Sequence, residues 1–212
     1  MGNEKTSGIA SGAAQQGGER RSYDKTVGGR KPRLVGLTGT NSAGKGEVAA
    51  YLKSRGYAFH SLSDVLREEL AARGLEASRD NLISVGNELR AAFGADILAR
   101  RIMDRLAAGP AVIDSIRNTR EVEFFRGTGD FVLLAVDAPI ELRFERARSR
   151  GRNESAATLE EFRSKEQAEM DGGEGRQQLR ECMAMADRLI VNDGSLDDLR
   201  RKVETALEEP TP

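Results

Sequence analysis

One stretch constrains the fold more than any other. An apolar run, Leu34-Val35-Gly36-Leu37, leads into Gly39-Thr40-Asn41-Ser42-Ala43-Gly44-Lys45-Gly46, and a helical pattern follows with Val48, Tyr51 and Leu52 on one side. Strand, glycine-rich turn and helix in that order bring successive backbone N–H groups and the positive end of a helix to one point. Such a point binds an anion, and glycine lets the backbone turn and approach it. Lys45 adds a charge for the outer phosphates of a nucleotide. The next position commonly holds Ser or Thr, whose hydroxyl reaches a magnesium ion; this chain has Gly46 and then Glu47. An acid in the first helical turn suits the helix dipole. A glycine-rich turn beside a surface lysine is the bland alternative, and the flanking strand and helix weigh against it.

The rest of the chain repeats the alternation. Apolar runs predict strands at 33–38, 57–60, 111–114, 131–136 and 188–191. Helical patterns occupy 44–52, 62–72, 78–92, 95–106, 140–150, 159–170, 177–186 and 196–207. Strands that are apolar on both faces and separated by helices predict an α/β fold, a parallel sheet covered on both sides. Ligands bind such sheets outside the carboxyl ends of the strands. The loop 39–46, Ser61 to Arg67, Asp114 to Arg117 and Asn192 to Gly194 all follow strand ends, so they converge on one edge.

Composition removes several function classes. The 33 Lys+Arg nearly balance 34 Asp+Glu, for a net charge of -1, which argues against general nucleic-acid binding. No apolar run approaches the roughly 20 residues of a membrane span. The single cysteine, Cys182, excludes an intrachain disulfide and favours a reducing, cytoplasmic setting. Residues 1–31 are rich in Gly, Ser, Gln and charge and are expected to be disordered, leaving 32–209 as the folded domain. Met1-Gly2-Asn3-Glu4-Lys5-Thr6 fits the loose N-myristoylation pattern, while the apolar core of a secretory signal is lacking.

From about residue 33 to 207 the chain resembles nucleoside monophosphate kinases. It is most similar to the small adenylate-kinase-like and dephospho-CoA-kinase-like proteins often described as AAA-type or phosphate-loop ATPases. Gly44-Lys45-Gly46 looks like the adenylate kinase variant of the loop, in which phosphates and water hold most of the magnesium. Where those kinases place Thr next, Glu47 stands. The resemblance implies a three-layer α/β/α phosphate-loop NTPase fold, a five-stranded parallel sheet of order 2-3-1-4-5, and a short helical lid at about 151–176.

The resemblance also assigns roles. His60-Ser-Leu-Ser-Asp-Val-Leu-Arg67 looks like the acceptor segment of adenylate kinases, putting Asp64 and Arg67 on the acceptor side, with Leu62 replacing the family's Thr. Val112-Ile-Asp-Ser-Ile-Arg-Asn118 looks like the third-strand segment: Asp114 would orient magnesium-bound water, and Arg117 would grip the acceptor phosphate from a position offset by one. Arg146 and Arg150 fall where family arginines meet the ATP base and phosphates, and Arg163 is a further cation in the lid. Asn192, Asp193 and Gly194 fall beside the adenine, although Asn-Asp-Gly-Ser is equally a good turn with a helix cap at Ser195. Arg90 is expected to face the acceptor. His60 and Cys182 are read as structural.

The implied cofactors are ATP and Mg2+, and the implied partner is a small-molecule phosphate acceptor, with monomer and dimer both open. An acceptor phosphate is already anionic, so transfer calls for positioning and charge stabilisation more than for a base. Two alternatives stay open. One is a dephospho-CoA-type kinase acting on a hydroxyl, with Asp64 as base. The other is an ATP-binding switch that needs Lys45 and Asp114 but not Arg67 or Arg117.

Overall fold

The computed structural model describes residues 32–150, 157–170 and 178–208. The expectations for 1–31, and those lid residues at 151–156 and 171–177, lie outside the described residues. The order is β1 (Leu34–Gly39), α1 (Lys45–Ser54), β2 (Ala58–Ser61), α2 (Leu62–Ala72), α3 (Arg79–Phe93), α4 (Ile97–Met103) and β3 (Ala111–Asp114). Then come α5 (Thr119–Arg126), β4 (Phe131–Asp137), α6 (Ile140–Ser149), α7 (Leu159–Met170), α8 (Leu179–Ala184), β5 (Arg188–Val191) and α9 (Leu196–Glu208).

The strands form one five-stranded parallel sheet in the order β2-β3-β1-β4-β5, as the resemblance implied. β1 is its centre, paired with β4 along its whole length from Leu34↔Phe131 to Gly39↔Val136 and with β3 from Leu34↔Ala111. All six β1 residues are buried, which is why no polar alternation shows in the sequence. Side chains still alternate between two cores. Leu34, Ala111, Ile113, Phe131 and Leu133 pack with α2, α3, α4 and α5. Val35, Leu37, Val112, Val132, Leu134 and Val136 pack with α1 and α9 on the other face. Three layers result.

The helices differ from expectation in three places. Helix α5 lies in a segment where the sequence reading had none. A capping box starts it: the Asn118 side chain accepts the Arg120 amide at 2.9 Å, and Glu121 returns to the Asn118 amide at 3.1 Å. Helix α4 is shorter than 95–106. Its end tightens to i→i+3 bonds, Arg105 N to Ile102 O and Leu106 N to Met103 O. Helix α8 also closes early, with Ala186 N bonded to Met183 O.

Candidate functional site

A cleft of about 570 Å3 opens beyond the carboxyl ends of β1, β2 and β3. That volume lies within the range of small-ligand sites. One wall is the phosphate loop, through Asn41, Ser42, Gly44, Lys45 and Gly46. The others come from α2 (Asp64, Leu66, Arg67), α3 (Arg79, Leu82, Arg90), the end of β3 (Asp114, Ser115, Arg117) and Arg150. The sheet topology thus joins residues 41 to 150 around one space.

The loop is braced from outside the cleft. Gly44, at φ 107, caps α1, and a side chain there would overlap the Asn192 amide group. Asn192 is buried and its Nδ2 donates to the Ala43 carbonyl at 2.7 Å. Ala43 is itself fully buried. Thr40 is buried too, and its hydroxyl donates to Asp137 at 2.6 Å. Thr40 and Ala43 therefore have no side chain free for a ligand, and Asn192 acts on the loop backbone instead of lining the cavity. Gly39, at φ 128, lies against the Val136 carbonyl. A Cβ at Gly46 would meet nothing within 4 Å, so packing does not require glycine there. Glu47 is exposed and borders a separate groove with α9. Gly194 is exposed beside Asp198, and Ser195 caps α9, its Oγ accepting the Asp198 amide at 3.1 Å.

Lys45 turns back on the loop and donates to the Gly39 and Thr40 carbonyls at 2.8 and 2.7 Å. Burial lowers its pKa from 10.5 to about 8, and Arg117 pushes the same way. Asp114 and Asp137 partly offset this. A desolvated ammonium between two carbonyls is a cation prepared for phosphate.

Asp114 ends β3 with Oδ1 buried and without a hydrogen-bond partner, while Oδ2 accepts from Ser115 Oγ at 3.2 Å. A hard, unpaired carboxylate oxygen fits a hydrated Mg2+ ion. Among the described residues no group of three or more acidic, His or Cys side chains is placed to hold a metal ion by itself.

On the far side, Arg67 pairs with Asp64 at 2.7 Å, both about half exposed. Arg90 is 7% exposed and its Nη2 pairs with Glu121 at 2.9 Å, while its Nε is buried without a partner. Arg90 is thus a cleft wall anchored from behind, not a solvated helix residue. Glu121 Oε2 also accepts the Arg117 amide at 3.0 Å. Burial lowers the Arg117 pKa, and nearby Arg79 and Arg90 add to the effect against Asp114. His60 pairs with Ile113 in the ladder, half-buried. Cys182 is fully buried, and burial pushes its thiol up to about 12, which makes it inert.

The arginines expected at the ATP base and phosphates, and the one expected in a lid, separate. Arg150 lines the cleft. Arg146 does not; its Nη2 donates to the Asn192 carbonyl at 3.2 Å and Nη1 is buried without a partner. Arg163 is exposed and pairs with Glu141 at 3.1 Å. The sequence reading missed Arg143, which is 4% exposed. It donates to the Ala138 carbonyl at 2.7 Å, makes a two-pronged ion pair with Glu166 of α7, and reaches the Asn41 carbonyl at 3.5 Å. A signal existed: Arg143 falls in the stripe Ile140, Phe144, Ala147, where an apolar residue belongs. Arg79 and Asp137 were also missed, and only the folded chain brings them near the cleft.

Comparison with known proteins agrees with this architecture. A family model described as an AAA domain matches residues 35–171. A UPF0200/UPF0201 protein of Archaeoglobus fulgidus is 35% identical over 182 residues, 82% of this chain and 55% of its own length, so the chain spans little more than half of that relative. A UPF0200 protein of Thermococcus gammatolerans is 34% identical over 184 residues, 83% of this chain and 94% of its own. Among solved structures, TT1252 from Thermus thermophilus is similar with a TM-score of 0.53 at 27% identity, covering 84% of this chain and 97% of that one. Shikimate kinase from Aquifex aeolicus shares the fold, with a TM-score of 0.52 at 14% identity over 82% of this chain and 96% of that one. With its phosphate loop at the head of a 2-3-1-4-5 sheet, the chain belongs to the UPF0200 family of phosphate-loop, AAA-domain proteins.

Proposed function

We propose that the protein is an ATP-dependent phosphotransferase that moves the γ-phosphoryl group to a nucleotide, a nucleoside or deoxynucleoside monophosphate. One observation carries this reading: a single cleft joins the phosphate loop to Arg67, Arg90 and Arg117. A nucleotide switch needs the first of these and has no use for the others. The donor phosphates would lie on the loop amides with Lys45 over the outer ones. Magnesium bound with ATP supplies charge neutralisation between the phosphates, and Asp114 would hold its water shell. Arg117 lines the same cleft as Lys45, Arg79 and Arg90, which suits a group shared by the donor and acceptor ends. Arginine forks fit phosphate oxygens in two contacts.

The hydroxyl-acceptor reading is weaker, because Asp64 is tied to Arg67 at 2.7 Å and is poorly placed to serve as a base. The test is ADP formation from Mg-ATP with a panel of nucleoside monophosphates, deoxynucleoside monophosphates and dephospho-CoA. We expect turnover only with a monophosphate present. Lys45→Ala should abolish it, and Arg67→Ala should raise the acceptor KM by about tenfold or more, the loss of one charged hydrogen-bonding partner. ADP released equally without acceptor would sink the reading.

A further inference from the structure

Ser115 follows Asp114 in a left-handed conformation, with φ of 68°. Among the described residues only Ser42, in the phosphate loop, is another non-glycine residue with positive φ. L side chains enter that region at a cost, and they stay only where the flanking structure imposes it. Here the next residue is pinned to β1 on both sides. The Ile116 amide donates to the Leu37 carbonyl at 3.2 Å, and the Thr38 hydroxyl donates to the Ile116 carbonyl at 2.9 Å. The chain therefore has to turn sharply at Ser115. Glycine would make this turn without strain.

The side chain gives serine its reason. Ser115 Oγ donates to Asp114 Oδ2 at 3.2 Å and accepts from Ser61 Oγ at 3.3 Å. Ser61 is the ladder partner of Asp114 and the N-cap of α2, and its Oγ accepts the Ser63 amide at 3.3 Å. The three bonds point the same way, from the first turn of α2 to the carboxylate. Aligned hydrogen bonds polarise one another. With Oδ2 held, Oδ1 stays in the cleft wall with no partner.

We propose that Ser115, backed by Ser61, is a positioning residue: the strained turn holds a hydroxyl relay that fixes Asp114 for the water shell of the Mg2+ accompanying ATP. This rests on the kinase reading for what Asp114 serves. The relay begins in α2, which also carries Arg67, so the acceptor side and the metal side share one hydrogen-bonded chain.

Two substitutions separate positioning from bulk stability. S115G relieves the strain and removes the hydroxyl; S115T keeps the hydroxyl and adds strain. Both are compared with the parent by thermal melting without nucleotide and by calorimetric ATP titration across a Mg2+ series. S115G should melt within about 2 °C of the parent, because relief of the left-handed strain is offset by the two lost hydroxyl bonds and a more flexible unfolded chain. Despite this it should need about tenfold more Mg2+ for half-maximal ATP binding, the scale of a lost outer-shell partner. S115T should melt lower and keep the parental Mg2+ requirement. An S115G protein with unchanged Mg2+ requirement overturns the proposal, as does a requirement that merely follows melting temperature in both variants. The measurement uses binding alone, so it stands even where the acceptor panel shows no transfer and the kinase reading falls. A parent that does not bind Mg-ATP removes both.

Discussion

Lys45 shows how the site spends folding energy on chemistry. Its ammonium is buried between two loop carbonyls, and its pKa falls to about 8. Bound phosphates would restore the proton's favour, so ATP binding should be coupled to protonation. Below about pH 8 the group is already charged and affinity should be flat. Above it, affinity should fall by about tenfold per pH unit, because binding must first recharge the amine. Calorimetry in buffers of different ionisation enthalpy at pH 9 should show proton uptake, and Lys45→Met should remove it. Lys45 was legible from the loop pattern alone, since strand, glycines and helix fix where such a lysine stands. Arg79 was not legible. It follows a helix cap at Ser78 like any charged first-turn residue, and only the packing of α3 over α2 brings it to the cleft.

At the scale of elements, Glu121 organises the wall of the cleft that carries Arg90 and Arg117. It caps α5, accepts the Arg117 and Asn118 amides, and neutralises Arg90, with its side chain wholly buried. Removing one member of a buried pair leaves the other charge without compensation. Glu121→Gln should cost about 3–5 kcal/mol in a urea unfolding titration, far more than a surface ion pair contributes. Substitution at the exposed Arg120–Glu123 pair of the same helix should be nearly neutral. The five strands were readable because burial on both faces leaves continuous apolar runs. Helix α5 was overlooked because TREVEFFR is short and mostly polar, although Asn118 and Glu121 stand at capping-box spacing. The same blindness hid Arg143. The apolar stripe of α6 marks Arg143 as out of place, but its partners, Glu166 and two backbone carbonyls, come together only in the folded chain.

Over the whole molecule, α6 and α7 form a satellite to the main cores. Phe144, Ala147 and Phe162 make a small apolar cluster, and the Arg143–Glu166 pair ties it to the phosphate loop. Glu166→Ala should raise amide hydrogen exchange across residues 159–170 while β1, β3 and β4 keep their protection, as expected of a locally opening unit. Equal loss throughout the sheet would show that this pair belongs to the global fold. At the opposite pole, the chain is anchored before β1 begins. Tyr57 Oη donates to the Pro32 carbonyl at 3.0 Å, and the Arg33 amide donates to Asp130 at 3.0 Å. β1 then runs the thickness of the domain, about 20 Å at roughly 3.3 Å per residue, before reaching the phosphate loop. Pro32 therefore lies at the end of β1 opposite the cleft. The protein can be tethered by that end to a bead or a surface and still present its open mouth to the solution.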